Sequence, residues 1–269
     1  MLSKLLILLL LGFPAWAGQS SSPAAVDVAP EPSARFHAEW YPADSDVSYT
    51  EPPVTGAPYS ATMITTIHFL MSRSGEAKEM HTRTLQARDW AGRTRTEEER
   101  SRIGEHGQTV AVHEVSVNDP VSHCSFRWEE PWAVKDAPIA IVTCLPRTLH
   151  YSNGTGPMAA MISGPKDEHS SGSEYHSEPL GRRLIEGVEA EGARRTTMRI
   201  DAGKPLKLML EVWYSRDLHE MLVMKQIPDP GDKSGERTLP DFELVEIHRG
   251  EPDARLFYPP DGYLIKPGT

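Results

Sequence analysis

The sequence predicts a mainly β protein, a curved antiparallel sheet or half-barrel behind a Pro-rich extended N-terminal segment. Three observations carry that prediction. Short runs of alternating apolar and polar residues recur between residues 59 and 265. Turn signals such as Asn118-Asp119-Pro120 and Glu186-Gly187 separate them. No long stretch shows the three-to-four residue spacing of an amphipathic helix.

The chain opens with Lys4, an apolar run over residues 5–11, and the small-residue pattern Ala15-Trp16-Ala17. Charge, short apolar core and small-residue exit define a secretory signal peptide over 1–17, cleaved after Ala17. The run is too short to remain as a bilayer span. The expected location is periplasmic or secreted, with no transmembrane segment after cleavage. No cysteine stands at the cleavage point, which argues against lipid anchoring there. Residues 18–58 form a Pro/Ser-rich lead-in containing Pro23, Pro30, Pro32, Pro42, Pro52, Pro53 and Pro58. Proline lacks the backbone donor that helices and central strands require, so this segment reads as extended. Trp40 and Tyr41 within it are candidates to dock on the domain.

One β domain is expected over 59–265. Residues 60–71 place Met63, Ile67, Phe69 and Met71 on one alternating face. Residues 79–89 and 93–101 read as polar strands joined by Asp89-Trp90-Ala91-Gly92, with glycine where a hairpin needs positive φ. Strands follow at 110–117, at 121–128 with Cys124, Phe126 and Trp128 on one face, and at 139–145. Residues 148–177 change character and read as a long surface loop insertion. Asn153-Gly154-Thr155 within it matches an N-glycosylation acceptor. A hairpin is expected over 180–185 and 188–200. Strands at 206–214 and 219–227 follow; the second puts Met221, Val223 and Ile227 on one face. A closing strand at 239–248 precedes 253–257 and the ending Tyr258-Pro259-Pro260-Asp261-Gly262-Tyr263. This amounts to about ten strands with turn punctuation.

Composition bounds the function. At 39 % hydrophobic and 25 % charged residues, the chain resembles an ordinary globular protein. Its formal charge is −10, which lacks the basic footprint of a nucleic-acid binder or an anionic-lipid surface binder. The two cysteines, Cys124 and Cys144, lie in strand-like segments of a chain expected in an oxidising compartment. A disulfide is the natural reading, contributing about 3 kcal/mol by loop closure; two unpaired buried thiols are the alternative. Two cysteines without clustered histidines make a poor zinc site.

Gly-x-Ser-x-Gly, the phosphate-binding glycine loop and the acidic calcium loop do not occur. His113-Glu114 and His219-Glu220 begin like a zinc-protease motif but lack the second histidine four residues after the first. His106, His113, His123, His150, His169 and His176 read as solvated or cross-strand residues. Arg182, Arg183, Arg194, Arg195 and Arg199 read as a solvated face balanced by Glu186, Glu189 and Glu191. The expectation is a protein without enzymatic activity or cofactor.

The concave side of the sheet should be lined by Met63, Phe69, Met71, Leu208, Leu210, Val212, Met221, Val223, Phe242 and Leu244. These residues form either a filled core or a pocket for an acyl chain. Methionine adapts to varied apolar partners, and an uncovered apolar sheet face needs a partner.

Several motifs carry a family resemblance. Glu211-Val212-Trp213-Tyr214-Ser215-Arg216-Asp217-Leu218 resembles a strand and turn of the lipoprotein-carrier (LolA-like) superfamily. Residues 242–248, Glu251-Pro252-Asp253-Ala254-Arg255-Leu256-Phe257 and the Pro259-Pro260-Asp261-Gly262-Tyr263 tail resemble its closing strand and end. Asp89-Trp90-Ala91-Gly92-Arg93-Thr94-Arg95-Thr96-Glu97 resembles its early polar hairpin. Residues 180–265 also resemble a group of secreted bacterial proteins of unknown function. That likeness is carried by Leu180-Gly181, Ile185-Glu186-Gly187-Val188, Glu191-Gly192-Ala193-Arg194 and Arg249-Gly250-Glu251-Pro252-Asp253. The resemblance implies a curved antiparallel half-barrel of the bacterial envelope. Two features depart from the carrier pattern: the Pro-rich lead-in cannot supply the helix that packs inside the carriers' half-barrel, and the 148–177 insertion has no counterpart.

The expected function is therefore non-enzymatic. The protein would bind a lipid, lipoprotein or lipidated ligand on the concave apolar face, at about 0.8 kcal/mol per buried CH2. The alternative is an interaction or envelope-sensing module that contacts another envelope protein without a small ligand.

Overall fold

The computed structural model describes residues 47–49, 53–70, 77–103, 107–130, 137–144, 149–151, 167–170, 173–201, 204–229 and 239–268. The chain divides into two units, Met1–Glu31 and Pro32–Thr269, and every described residue belongs to the second. The signal peptide, Trp40, Tyr41, Met71 and the Asn153 acceptor lie outside the described residues.

Strand β1 (Val47–Tyr49) lies in the lead-in. A first meander follows: β2 (Tyr59–Leu70), β3 (Ala77–Arg88), β4 (Thr94–Ile103), β5 (Thr109–Asp119), β6 (Cys124–Glu130) and β7 (Ile139–Cys144). β8 (Leu149–Tyr151) pairs in parallel with β1. A second meander comprises β9 (Asp167–Ser170), β10 (Ser173–Ile185), β11 (Val188–Asp201), β12 (Lys204–Ser215), β13 (Glu220–Ile227) and β14 (Asp241–Arg249). β14 pairs antiparallel with β2 and joins the two meanders. The last strand, β15 (Leu264–Pro267), returns to pair with β7 in parallel. Among the described residues the result is one open 13-stranded sheet with order β15-β7-β6-β5-β4-β3-β2-β14-β13-β12-β11-β10-β9. Every neighbouring pair in it is antiparallel except β15–β7.

The turns form where the chemistry dictates. Gly92 has φ 88°, and a side chain there would also strike the Val54 carbonyl. Glu186 and Gly187 have φ 49° and 78°, the twin positive values of a tight hairpin turn. Cys124 and Cys144 stand directly opposite each other on β6 and β7 and form a disulfide.

The structure departs from expectation in four places. The 148–177 segment is not a continuous loop, since β8, β9 and the start of β10 fall within it. The lead-in contributes the three-residue β1. Residues 253–257, to which the sequence pattern assigns no element, form a 3-10 turn over Ala254–Phe257, capped by the Asp253 carboxylate accepting from the Arg255 amide. The Arg255 guanidinium beside it holds the Asp253 carboxyl down at about 2. The fourth departure is β15 itself: a parallel edge strand gives no alternating signal in four residues.

Register assigns the sides of the sheet, because directly paired residues share a face and neighbours along a strand alternate. Ala87, Arg95, Val117, Phe126 and Val142 form one cross-strand row of the first meander. The C-terminal tail packs over this side, with Phe257 fully buried among Val115, Val117, Phe126 and Trp128. Arg95 donates to the Leu256 carbonyl at 2.9 Å, and Tyr263 donates to the Glu129 carbonyl at 2.6 Å. The tail thus crosses from β4 to β7. We call this the tail side and the opposite face the open side.

A buried polar network ties the two meanders together. The Arg88 guanidinium donates to the Ala57 carbonyl at 3.0 and 3.1 Å and to the Leu218 carbonyl. It also lies over the Tyr59 ring and 3.4 Å from Glu220. Tyr59 donates to Glu220 at 3.1 Å. Burial pushes the Glu220 carboxyl above its ordinary value, against the opposing pull of Arg88 and Tyr59, and pushes the Tyr59 phenol up as well.

Candidate functional site

The open side carries an unbroken row across five strands: Thr65, Phe242, Met224, Val212 and Ala193. Apolar residues at every second position of β2, β12 and β14 produce it, and the register lines them up. Of the ten residues expected to line the concave face, eight lie on this open side. They are Met63 and Phe69 on β2, Leu208, Leu210 and Val212 on β12, Met221 on β13, and Phe242 and Leu244 on β14. Met71 lies outside the described residues.

Val223 is the correction. By register it pairs with Trp213 and Glu243, out of step with Phe242 and Val212, and it packs in one cluster with Trp213, Leu222, Leu244 and Ala61. The cause is a bulge between Trp213 and Tyr214, which shifts the β12–β13 register so that Met221 pairs with Tyr214. Met221 and Val223 therefore face opposite ways, although their spacing puts them together in a regular strand. Ile227, opposite Met209, shares the side of Val223.

Packing divides the eight further. Leu210, Val212, Met221 and Leu244 are buried. Leu208 and Phe242 are partly buried against the cluster of Ala193, Leu210, Val212 and Met221. Met63 packs against the cluster containing Leu244 and Trp213. Phe69 stays 41 % exposed. Beside it on the same side, Ile67 and its direct partner Met80 stay 36 % and 48 % exposed. A continuous apolar side thus runs from a packed centre to an uncovered end.

Next to that side, β10 and β11 contribute a polar block. Ser177 pairs with Arg195 and Tyr175 with Thr197. Arg195 and Thr197 in turn pair with Leu210 and Leu208. The Arg195 guanidinium lies 4.6 Å from the Tyr175 ring centroid. The other described arginines of the expected basic strip are engaged. Arg182 pairs with Glu189 and Glu191, Arg194 with Glu178 and Glu211, and Arg183 stacks on Trp213 at 3.8 Å. Glu191, bridged by Arg216 and Arg182, is held below the ordinary carboxylate range. Glu186 is not among these partners; its carboxylate accepts from the Glu246 amide.

A second polar cluster occupies the tail side at the meander junction. His68 sits between Glu79 at 3.1 Å and Asp241 at 3.0 Å, and Thr66 Oγ1 lies 3.0 Å from His81 Nδ1. It borders a groove of about 520 Å³ with Lys225 and Glu243. These residues are direct cross-strand partners of β2, β3 and β14. Among the described residues, no group of three or more His, Cys, Asp or Glu is placed to hold a metal ion. No described helix is long and apolar enough to cross a membrane.

In comparison with known proteins, no protein-family model matches the chain and no curated protein matches it.

The sequence alone missed Met80, Met224, Ala193 and the role of Arg195. Their alternation was visible; their alignment with β2 and β12 depends on a non-local register that no local pattern encodes.

Proposed function

We propose that this chain is a non-enzymatic periplasmic or secreted binding protein of LolA-like type. It takes a lipid or lipidated group against the open side of its sheet, near Met63, Phe69, Leu208 and Phe242. The single observation supporting this reading is the uncovered end of the apolar row. Ile67, Phe69 and Met80 remain exposed where the row leaves its packed centre, and burying each CH2 of a ligand there contributes about 0.8 kcal/mol. The signal peptide delivers the protein to a compartment where such groups need a carrier.

Titration with an uncharged apolar fluorophore, N-phenyl-1-naphthylamine, tests the reading. Saturable one-to-one binding that disappears in Phe69→Ser supports it. Non-saturable binding, or binding unchanged by Phe69→Ser, overturns it.

One observation favours a second reading, an interaction module for another envelope protein. Leu210, Val212, Met221 and Leu244 are already buried by the chain itself, leaving a flat apolar margin in place of a deep cavity.

A further inference from the structure

The polar block beside the apolar row restricts what kind of ligand the face can take. Arg195 projects from the open side of β11, between Leu210 on β12 and Ser177 on β10. Among the described residues no carboxylate pairs with it, although this chain carries 38 acidic residues and 28 basic ones. Among the described residues its guanidinium lies 4.6 Å from the Tyr175 ring centroid, a stacking contact that uses none of its N–H donors. Ser177, Tyr175 and Thr197 supply three further hydroxyls in the same two-by-two block. Glu168 of β9 stands at the register position beyond Tyr175, and between it and the apolar row an arginine with spare donors, flanked by hydroxyls, recognises a carboxylate or phosphate.

The block and the exposed apolar end lie in one register. Stepping two residues from the Thr65–Phe242–Met224–Val212–Ala193 row leads to Ile67 on β2, Gln226 on β13, Leu210 on β12 and Arg195 on β11, with β14 ending short of this row at Asp241. Arg195 and Ile67 are therefore four strand spacings apart, ~19 Å along the sheet. Leu208 and Phe69 flank the line between them.

We propose that the ligand is an anionic amphiphile, with its acidic head group on Arg195 and its apolar chain lying toward Ile67, Phe69 and Met80. This rests on the apolar-face reading above and adds the head-group chemistry. A neutral lipid leaves the Arg195 donors without an acceptor, so the site discriminates by charge as well as by burial.

The test titrates the purified full chain with cis-parinaric acid and with its methyl ester. The acid should bind roughly tenfold or more tightly than the ester, and Arg195→Gln should erase that difference. Arg195→Lys should keep most of it. Melting curves of both variants establish that they fold, and the lysine variant keeps the test decisive if the glutamine variant does not. Equal binding of acid and ester by the unmodified protein overturns the head-group assignment while leaving an apolar site in place. No binding of either overturns both. Displacement of the acid by acetate or inorganic phosphate as effectively as by a second fatty acid identifies a free-anion site and overturns the amphiphile.

Discussion

The two meanders cover their apolar residues in different ways. Over β4–β7 the first concentrates them on the tail side, where Val115, Val117, Phe126, Trp128 and Val142 are sealed by Phe257 and the residues after it. Over β4–β7 the open side is mostly polar, with Thr94, Asn118, Ser125 and Thr143 in one cross-strand row bordering a groove of about 760 Å³, while β2 and β3 carry Met63, Ile67, Phe69 and Met80 on that side. The second meander is apolar on both sides. Ala193, Val212 and Met224 face one way, and Val188, Ala190, Trp213 and Val223 the other. The tail and the disulfide both belong to the first meander. β4–β7 have their own cover; the apolar open side of the second meander continues across β14 onto the uncovered Ile67, Phe69 and Met80 of β2 and β3, which leaves surface for a ligand.

The comparison breaks most severely if the cover is removed. Phe257→Ala empties a fully buried site, with an expected cost of about 3–5 kcal/mol. Hydrogen exchange should accelerate in β4–β7 before it does in β10–β12. Uniform acceleration across both meanders would show that the tail supports the whole sheet equally.

A smaller effect is expected from Gly192→Ala. A Cβ at Gly192 would lie 2.7 Å from the Trp213 ring, which packs directly on the glycine. Displacing the ring should cost about 1–3 kcal/mol, read as a lower urea midpoint, with the first meander's exchange rates unchanged. An unchanged midpoint would mean that Trp213 moves freely and the second core is loosely packed.

The smallest effect concerns the junction. Glu220 titrates above its ordinary value because it is buried. A carboxyl raised on folding contributes stability that is full below the unfolded value and is lost as pH climbs through the raised one. Stability of the unmodified protein should therefore decline across that interval, and Glu220→Gln should remove the slope. A slope of the opposite sign would mean that the Arg88 pairing outweighs desolvation.

Much of this was legible in the sequence because it is local. Alternation gave the strands and placed Cys124, Phe126 and Trp128 on one buried face. The turn residues at 89–92 and 186–187 marked the hairpins. What escaped depends on distant partners. The Trp213–Tyr214 bulge reverses Val223 relative to Met221 without any proline or strand glycine to announce it. β15 takes its place from β7, more than 100 residues earlier in the chain. The Arg195 block becomes a site only when β11 lies beside the apolar stripe of β12.

Native mass spectrometry of the purified protein, prepared without detergent and followed by organic extraction of whatever accompanies it, tests the central claim most directly. The expected result is one bound amphiphile with an acidic head group per chain, lost in the Arg195→Gln variant. A clean mass of the chain alone, unchanged after incubation with fatty acid, would contradict the ligand face and turn the search to a protein partner.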